Sequence, residues 1–487
     1  MKRDNFGSSF GVLAAAAGSA IGLGNIWKFP YITGKNGGAA FILVYLACIA
    51  CVGIPVMLAE FALGRKAQKN TVGAFKELAP GKPWYLSGGL SVLTAFIILS
   101  FYAIIAGWVF AYMFRAGSGE LMSVSAGNLE SYFGGVISNS KEPMLWTLLI
   151  ISLTASIVLF GVKKGIEKCS KILMPILFVI LVALMIRSVT LDGASKGLEF
   201  LFKPDFSKLT KEGVLEALGH SFYSLSLGMG IIMTYGSYVD KKENMMSLSL
   251  KVIIADTLIA LMAGVVIFPA VFAYGFKPGQ GPGLIFVTLP AVFKAMPYGG
   301  VFATLFFLLI AIAAITSTIS LMEVVVACVS EQFNMNRKKA VALITVGLFL
   351  LSIPSNLSFG PWANVKIFGK NFFDFFDFIT SNIFLPVGGI LVCVFASFVF
   401  GVKNTITEIT SDGIYKFKLK NLFVIGIKFV APILIGIILL HSIGVFNLIG
   451  SDKINAKTLS VYGGFLLLPC ILIYRYMVKR AEYAKKS

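Results

Sequence analysis

Charge is what this 487-residue chain has least of. Only 13% of its residues are charged and 57% are hydrophobic, where soluble domains carry about 25% charged residues. That shortage excludes a soluble globular protein, and a mean hydropathy of +0.86 places most of the chain in a bilayer. Histidine is nearly absent, with two residues, and no nucleophile–base constellation accompanies them, which argues against enzyme chemistry. Without a histidine or cysteine cluster there is also no transition-metal site to expect. The six cysteines (Cys48, Cys51, Cys169, Cys328, Cys393 and Cys470) fall in or beside apolar runs, form no CxxC pair and read as buried free thiols. The start, MKRDNFGSSF, is too polar for a signal peptide, and no convincing cleavage site follows Ala14 to Ala17, so the first apolar run is expected to stay in the mature protein. Acidic residues are scarce beside basic ones, 23 against 42, for a net charge of +19. Such an excess could serve a nucleic-acid partner, and its placement along the chain decides against that.

What is present is a succession of apolar runs. A helix needs about 20 apolar residues to cross the hydrocarbon core, and that criterion predicts twelve spans, near 10–31, 39–63, 88–114, 145–162, 169–189, 214–238, 249–274, 302–332, 339–354, 376–400, 422–447 and 458–477. The short gaps between them make one polytopic unit. The stretch from Gly283 to Pro297 is shorter and interrupted by Pro290, which predicts a folded loop or re-entrant element instead of a span. Lysine and arginine concentrate in the N-terminal arm, in the loops after even-numbered spans and at the C-terminus. The positive-inside rule then puts both termini in the cytoplasm. The net charge reads as an orientation code with some affinity for anionic lipid, and no nucleic-acid role is expected.

Spans 1 and 6 are unusual. Each carries small residues near its middle, Gly18, Ser19, Gly22 and Gly24 in one and Ser224, Ser226, Gly228 and Gly230 in the other. Glycine inside a helix costs about 1 kcal/mol relative to alanine. Either cluster alone would suit close helix packing. Two of them, five spans apart, mark a carrier built from inverted repeats with broken helices. Half-helix N-termini suit a carboxylate, and unwound carbonyls with hydroxyl and amide oxygens suit a hard cation such as sodium.

The runs GSAIGLGNIWKFPYITGKNGGAAF, GIPVMLAEFALGR, SLSLGMG and ITSTISLMEVVVA resemble the signature segments of the neurotransmitter:sodium symporter family. The resemblance covers about residues 3 to 400 and is closest to the bacterial amino-acid transporters. It implies an all-α polytopic membrane protein of the leucine-transporter type, with twelve transmembrane helices, two inverted five-helix repeats (5–190 and 212–401), helices 1 and 6 unwound, and helices 11 and 12 over 420–480. It implies a first sodium site at Ala20, Asn25, Ser224 and Asp256, completed by the substrate carboxylate. A second site would use Gly18, Ile21, Ala313, Thr316 and Ser317. The adjacent hydroxyls Thr316 and Ser317 could equally bond the carbonyls of their own helix.

For the substrate, the resemblance implies that Leu23 and Gly24 offer backbone donors to a carboxylate, joined by the hydroxyl of Tyr102. Carbonyls around Ala20, Tyr223, Ser224 and Ser226 would take an ammonium group. Ile98, Tyr223, Ser226, Met229, Ser317 and Leu321 would line the side-chain pocket. Amine-carrying relatives have an aspartate where this chain has Gly22, so an amino acid with its own carboxylate is expected. Met229 replaces an aromatic residue of the leucine transporter. Methionine re-packs easily, which favours large hydrophobic or aromatic amino acids, unless Met229 only fills space.

Charges within spans are candidates for function by default, since each costs about 2.5 kcal/mol or more in hydrocarbon. Glu60, Asp256 and Glu323 qualify. Chloride-dependent relatives are neutral at the position of Asp256, so Asp256 is expected to substitute for the anion. His220, near Tyr45, falls where relatives form their anion site, and could carry a proton beside Asp256 or be purely structural. Glu60 resembles the carboxylate that ties down backbone donors at the span 6 break, and Glu323 has no assigned role. Lys28 and Asp377 resemble the outer gate, with lysine in place of the usual arginine and its bidentate fork lost. Arg3 and Glu331, with Phe6, Ser237 and Tyr238, resemble the inner gate. Gly165 and Pro175, with nine residues between them in GIEKCSKILMP, resemble the motif at which the inner end of span 5 unwinds, though an ordinary helix start would look alike.

The expectation is therefore a sodium-coupled symporter importing hydrophobic or aromatic L-amino acids by alternating access across the cell inner (cytoplasmic) membrane. It needs two sodium ions, no organic cofactor and no chloride. The alternative is a non-transporting membrane sensor that kept the sodium and ligand sites. Oligomeric state is not legible.

Overall fold

The computed structural model describes residues 5–276 and 281–445, and within them every long element is helical. A chain in hydrocarbon must satisfy its own backbone polar groups, and helices do so segment by segment. Among the described residues nine helices are long and apolar enough to span: span 2 (Ala39–Ala67), span 3 (Tyr85–Gly117), span 4 (Glu142–Leu159), span 5 (Val162–Val189), span 7 (Met245–Ala273), span 8 (Gly299–Gln332), span 9 (Arg337–Leu357), span 10 (Phe372–Val399) and span 11 (Lys420–Ser442). Span 1 is a bent pair, Ser9–Ala20 and Gly24–Lys35, turning by 49° at its break. Span 6 is two short helices, Lys211–Ser224 and Ile231–Gly236. The expected twelfth span, 458–477, lies outside the described residues, as do Arg3 and Cys470.

Gly283–Pro297 is not a loop. It forms a short helix, Leu284–Ala295, and its Phe286 packs against Tyr112, Phe133 and Phe307. Pro290 sits in the first turn of its α-helical part, where a missing N–H costs nothing, so it does not break the element.

A regularity that escaped the sequence reading is where the helices widen. Pro30, Pro55, Pro290, Pro386 and Pro432 each stand in the first turn of an α segment that directly follows a π-wound turn: Gly24–Lys28, Ile49–Gly53, Leu284–Thr288, Thr380–Phe384 and Gly426–Val430. Proline lacks the N–H and crowds the carbonyl four residues back, and a wider turn relieves both.

Spans 3 and 8 form the centre. Span 8 is buried without interruption from Leu309 to Cys328 and packs along span 3. Spans 4, 5 and 9 turn apolar side chains outward, including Leu145 and Leu149, Ile172 and Ile176, and Val346 and Leu350, at the one-turn spacing of a lipid-facing stripe. Spans 2 and 6 meet backbone to backbone: a Cβ on Gly64 would overlap the carbonyl of Met233, and one on Gly236 would lie 2.7 Å from that of Phe61. At the end of span 2, the fully buried Arg65 pairs with Glu408 (Nε to Oε1, 2.7 Å) and donates to the carbonyl of Glu243 (2.9 Å), tying the loop after span 6 to the helix Val402–Ile409.

Candidate functional site

The two breaks face each other at the centre of the molecule. Span 1 leaves the helix at Ile21, whose ψ of 93° is extended. Span 6 leaves it over Leu225–Gly230, with Ser226, Gly228 and Gly230 all at positive φ (56°, 78° and 79°). Glycine is required at Gly228 and Gly230 because a side chain is strained there. Gly22 is small for another reason: a Cβ on it would lie 2.5 Å from Ser317 Oγ and 3.0 Å from the Tyr102 hydroxyl.

Donors freed at the breaks are captured. Leu23 N–H donates to the Tyr102 hydroxyl (3.1 Å) and Gly22 N–H to Asn25 Oδ1 (3.0 Å). Gly228 N–H donates to Glu60 Oε1 (2.7 Å), so this buried carboxylate serves the break in span 6. The freed carbonyl of Ser19 accepts from Ser226 Oγ (3.1 Å) and Ser317 Oγ (3.3 Å), joining spans 1, 6 and 8 at one atom.

Around this node lies a cavity of about 30 Å³ lined by Ser19, Ala20, Gly22, Gly24, Ile98, Tyr102, Tyr223, Ser224, Ser226, Met229, Ile231, Ser317 and Leu321. Every expected pocket residue is there except Leu23, which lines the next cavity out. Ser19 and Ile231 were missed as lining residues. Each adjoins a break and was one position from a named residue, so the signal was available.

Ala20, Asn25, Ser224 and Asp256 also come together. Asn25 Nδ2 donates to Asp256 Oδ1 (2.7 Å), and Ser224 Oγ reaches both carboxylate oxygens of Asp256 (3.0 and 3.1 Å). The carboxylate is fully buried with no basic partner in contact among the described residues. A bare buried charge of this kind is costly, and a cation beside it would offset that cost. Tyr45 and His220 pack beside this cluster with tilted rings (centroids 5.5 Å apart, 32° between planes), and His220 is buried with neither ring nitrogen hydrogen-bonded.

Of the residues expected at the second sodium site, Gly18 of span 1 and Thr316 of span 8 are neighbours. Gly18 faces Thr316, whose Cβ would lie 3.4 Å from a Cβ added at Gly18. The Thr316 hydroxyl donates to the carbonyls of Ile312 and Ala313 (3.2 and 3.1 Å), the local bonding that its sequence setting left open. Ser317 instead reaches across to span 1. A donating hydroxyl keeps its lone pairs, so this bonding leaves the Thr316 oxygen able to accept a cation.

Outward of the central cavity is a larger one of about 420 Å³, whose walls include Trp27, Lys28, Tyr31, Trp108, Phe133, Phe373, Asp374 and Asp377. Lys28 and Asp377 do not pair across it. Lys28 Nζ lies 4.7 Å from the centre of the Tyr223 ring, and Asp377 accepts from Ser381 (2.8 Å). At the other end Phe6 sits edge-on to Tyr235 and Tyr238 and donates its N–H to the Tyr238 carbonyl (3.2 Å). Glu331 accepts from the backbone and side chain of Asn70 (2.9 and 2.8 Å). Ser237 Oγ donates to the carbonyl of Thr234 (2.5 Å). Glu323 gains an environment that sequence could not give it: the Tyr238 hydroxyl donates to it (2.7 Å), and Arg337 grips both its oxygens while donating Nε to the Val158 carbonyl (2.8 Å).

Span 5 has the second of its two expected forms, an ordinary helix start. Its inner end is wound, with a π turn at Val162–Glu167 running into the α-helix Lys168–Val189, which contains Pro175. A Cβ on Gly165 would overlap the Ile157 carbonyl, so glycine here permits close packing on span 4.

Comparison with known proteins fixes the relationship. The model of the sodium:neurotransmitter symporter family matches residues 3–129 and 135–479. The chain belongs to that family. Its relatives include the sodium-dependent transporter YhdH of Bacillus subtilis, 38% identical over 440 residues that cover 90% of this chain and 98% of the relative. A sodium-dependent transporter of Haemophilus influenzae is 36% identical over 453 residues, covering 91% and 98%. Among solved structures, MhsT in complex with L-phenylalanine superposes with a TM-score of 0.84 at 46% identity, over 90% of this chain and all of that one. This symporter is thus a polytopic, sodium-dependent membrane transporter of the leucine-transporter fold, and not an enzyme.

Proposed function

We propose that this symporter imports large hydrophobic or aromatic L-amino acids together with two sodium ions, without chloride, by alternating access across the inner (cytoplasmic) membrane, with both termini in the cytoplasm. The observation that carries this reading is the juxtaposition at the span 1 break. Leu23 N–H and the Tyr102 hydroxyl point at one another, and the buried Asp256 cluster lies on the other side of Asn25. A substrate carboxylate inserted between Leu23 and Tyr102 would meet two donors and neighbour the first sodium ion. The ammonium group would face the Ser19 and Ala20 end, where carbonyls gather. Nothing at Gly22 offers a negative charge to an amine lacking its own carboxylate. The complex of MhsT with L-phenylalanine supports the substrate class.

The central cavity of about 30 Å³ holds little more than a water or two. Binding must therefore move the walls, and Met229 and Leu321 are the flexible ones. The bundle of spans 1, 2, 6 and 7, the first two spans of each repeat (5–190 and 212–401), rocks against the rest. Sodium drives the change by binding one orientation better than the other. The larger cavity and the unpaired Lys28 and Asp377 supply the route by which substrate reaches the site.

Uptake of labelled L-phenylalanine, tyrosine, tryptophan and leucine into liposomes under an inward sodium gradient tests this reading. Accumulation is expected with sodium and not with potassium or lithium, and it is expected to persist when gluconate replaces all chloride. Sodium-dependent binding without flux would establish the sensor alternative. Collapse of uptake in gluconate would refute the role given to Asp256.

Met229→Phe stiffens and fills the pocket. Discrimination between tryptophan and leucine is expected to move toward leucine by about tenfold, the lower end of what one steric group achieves in an apolar pocket. Competition of each amino acid against labelled leucine measures it, and an unchanged ranking would leave Met229 as filler.

A further inference from the structure

The N-terminal half of span 1, Ser9–Ala20, is a short helix with no helical continuation past Ile21. Contacts along its side must hold it, and these run along spans 5, 7 and 8. At its far end, Met174 of span 5 lies against Gly18, with Sδ 3.3 Å from where a Cβ would stand. At its near end stands Glu167, a carboxylate only 2% exposed.

Glu167 is placed where the helix start needs an acceptor. Its Oε2 takes the N–H of Gly7 (2.6 Å) and its Oε1 takes the hydroxyl of Ser8 (3.1 Å), while Ser8 itself caps Gly11 N–H (3.1 Å). The first turn of a helix carries unpaired donors and the positive end of its dipole, and hydrogen bonds from such donors to an ionised carboxylate are about twice as strong as neutral ones. Lys171, one turn on, holds the same carboxylate (2.5 Å). The fit is close. A Cβ on Gly11 would overlap the Glu167 carboxylate itself, and one on Gly7 would lie 2.7 Å from Lys163 Cε. Gly7 and Gly11, one helical turn apart, form the saddle on which Glu167 sits.

We infer that Glu167 is a positioning residue that latches the inner half of span 1 to span 5. It acts through span 1 on the second sodium site, because Gly18 and Ile21 stand on the same half-helix and cannot leave Thr316 while the latch is made. Release of Gly7 and Ser8 from Glu167 then accompanies opening of the inner path. This inference rests on the alternating-access reading above.

Cys169 supplies a native reporter. It is half-buried on span 5, two residues from Glu167, within electrostatic reach of Tyr235 in the inner half of span 6. Alkylation of Cys169 in the purified full-length transporter, quantified by mass spectrometry in sodium and in potassium, reads how often this interior opens. For the native chain, sodium is expected to slow the reaction. In Glu167→Gln, with the charge removed, sodium protection is expected to be lost, with Cys169 reacting in sodium at least about fivefold faster than in the native protein, the population change that accompanies loss of one charge-assisted contact. Gly11→Ala improves helix propensity yet displaces the carboxylate, so it is expected to lose protection too. If Glu167→Gln does not fold, Gly11→Ala decides. A purely structural role would lower thermal stability and leave the ratio of sodium to potassium rates unmoved, and that result would overturn the latch. A native chain whose Cys169 ignores sodium would overturn the sodium-driven cycle, and the latch with it.

Discussion

Asp256→Asn is expected to lower sodium-driven uptake in chloride-free medium by about 100-fold or more, and to raise the sodium concentration required for half-maximal uptake. The carboxylate is fully buried and held by Asn25 and Ser224, with no basic partner in contact among the described residues. Its charge is therefore available to a cation. At an effective dielectric near 20, a unit charge about 4 Å from a cation is worth on the order of 4 kcal/mol, and about 1.4 kcal/mol is a factor of ten in an equilibrium. Asparagine keeps the shape and can still bond Ser224, so the loss reads charge and not collapse. Restoring chloride should recover part of the uptake, because an external anion then supplies the balance. Sodium dependence identical to that of the native protein would remove Asp256 from the sodium site.

Gly22→Ala is expected to weaken substrate binding and uptake by about 10- to 100-fold. The added carbon would press on Ser317 Oγ at 2.5 Å and on the Tyr102 hydroxyl at 3.0 Å, and overpacking of this kind costs about 1–3 kcal/mol. Both groups flank the position given to the substrate carboxylate, so the strain falls where binding is decided. Combining it with Ser317→Ala removes the closer clash, leaving the Ser317 Cβ at an ordinary 3.5 Å, and should restore part of the binding measured with labelled L-phenylalanine. A double variant no better than Gly22→Ala would show that the space, and not Ser317, is what glycine protects.

How much of this was legible depends on the kind of contact. The breaks in spans 1 and 6 were readable because glycine and serine clusters in an apolar helix are a local anomaly. What each glycine does was not readable: Gly228 and Gly230 serve backbone conformation, whereas Gly22 serves space, and only the approach of span 8 distinguishes them. The π turns before Pro30, Pro55, Pro290, Pro386 and Pro432 have a local cause that the sequence reading did not use. The inner end of span 5 was left open between an unwound motif and an ordinary helix start, and packing of Gly165 on span 4 accompanies the wound form.

The paired charges were the least accessible. Glu323 meets Arg337 from 14 residues away, Arg65 meets Glu408 across 343, and Glu167 meets Gly7 across 160. No periodicity links residues so far apart, and each carboxylate on its own looks like any other within a span.

The sequence by itself determined the bilayer setting, the order of the spans and the two breaks, because hydropathy and glycine placement act through the local backbone, and its family resemblance implied nearly all of the residues around the central cavity. The tertiary structure alone decided which donor each freed carbonyl and carboxylate receives, that Lys28 rests on Tyr223 and not on Asp377, and that Glu167 caps span 1. Those are pairings between distant segments, and in hydrocarbon a polar group has no water to fall back on, so its partner is set by whichever helix packing brings within reach.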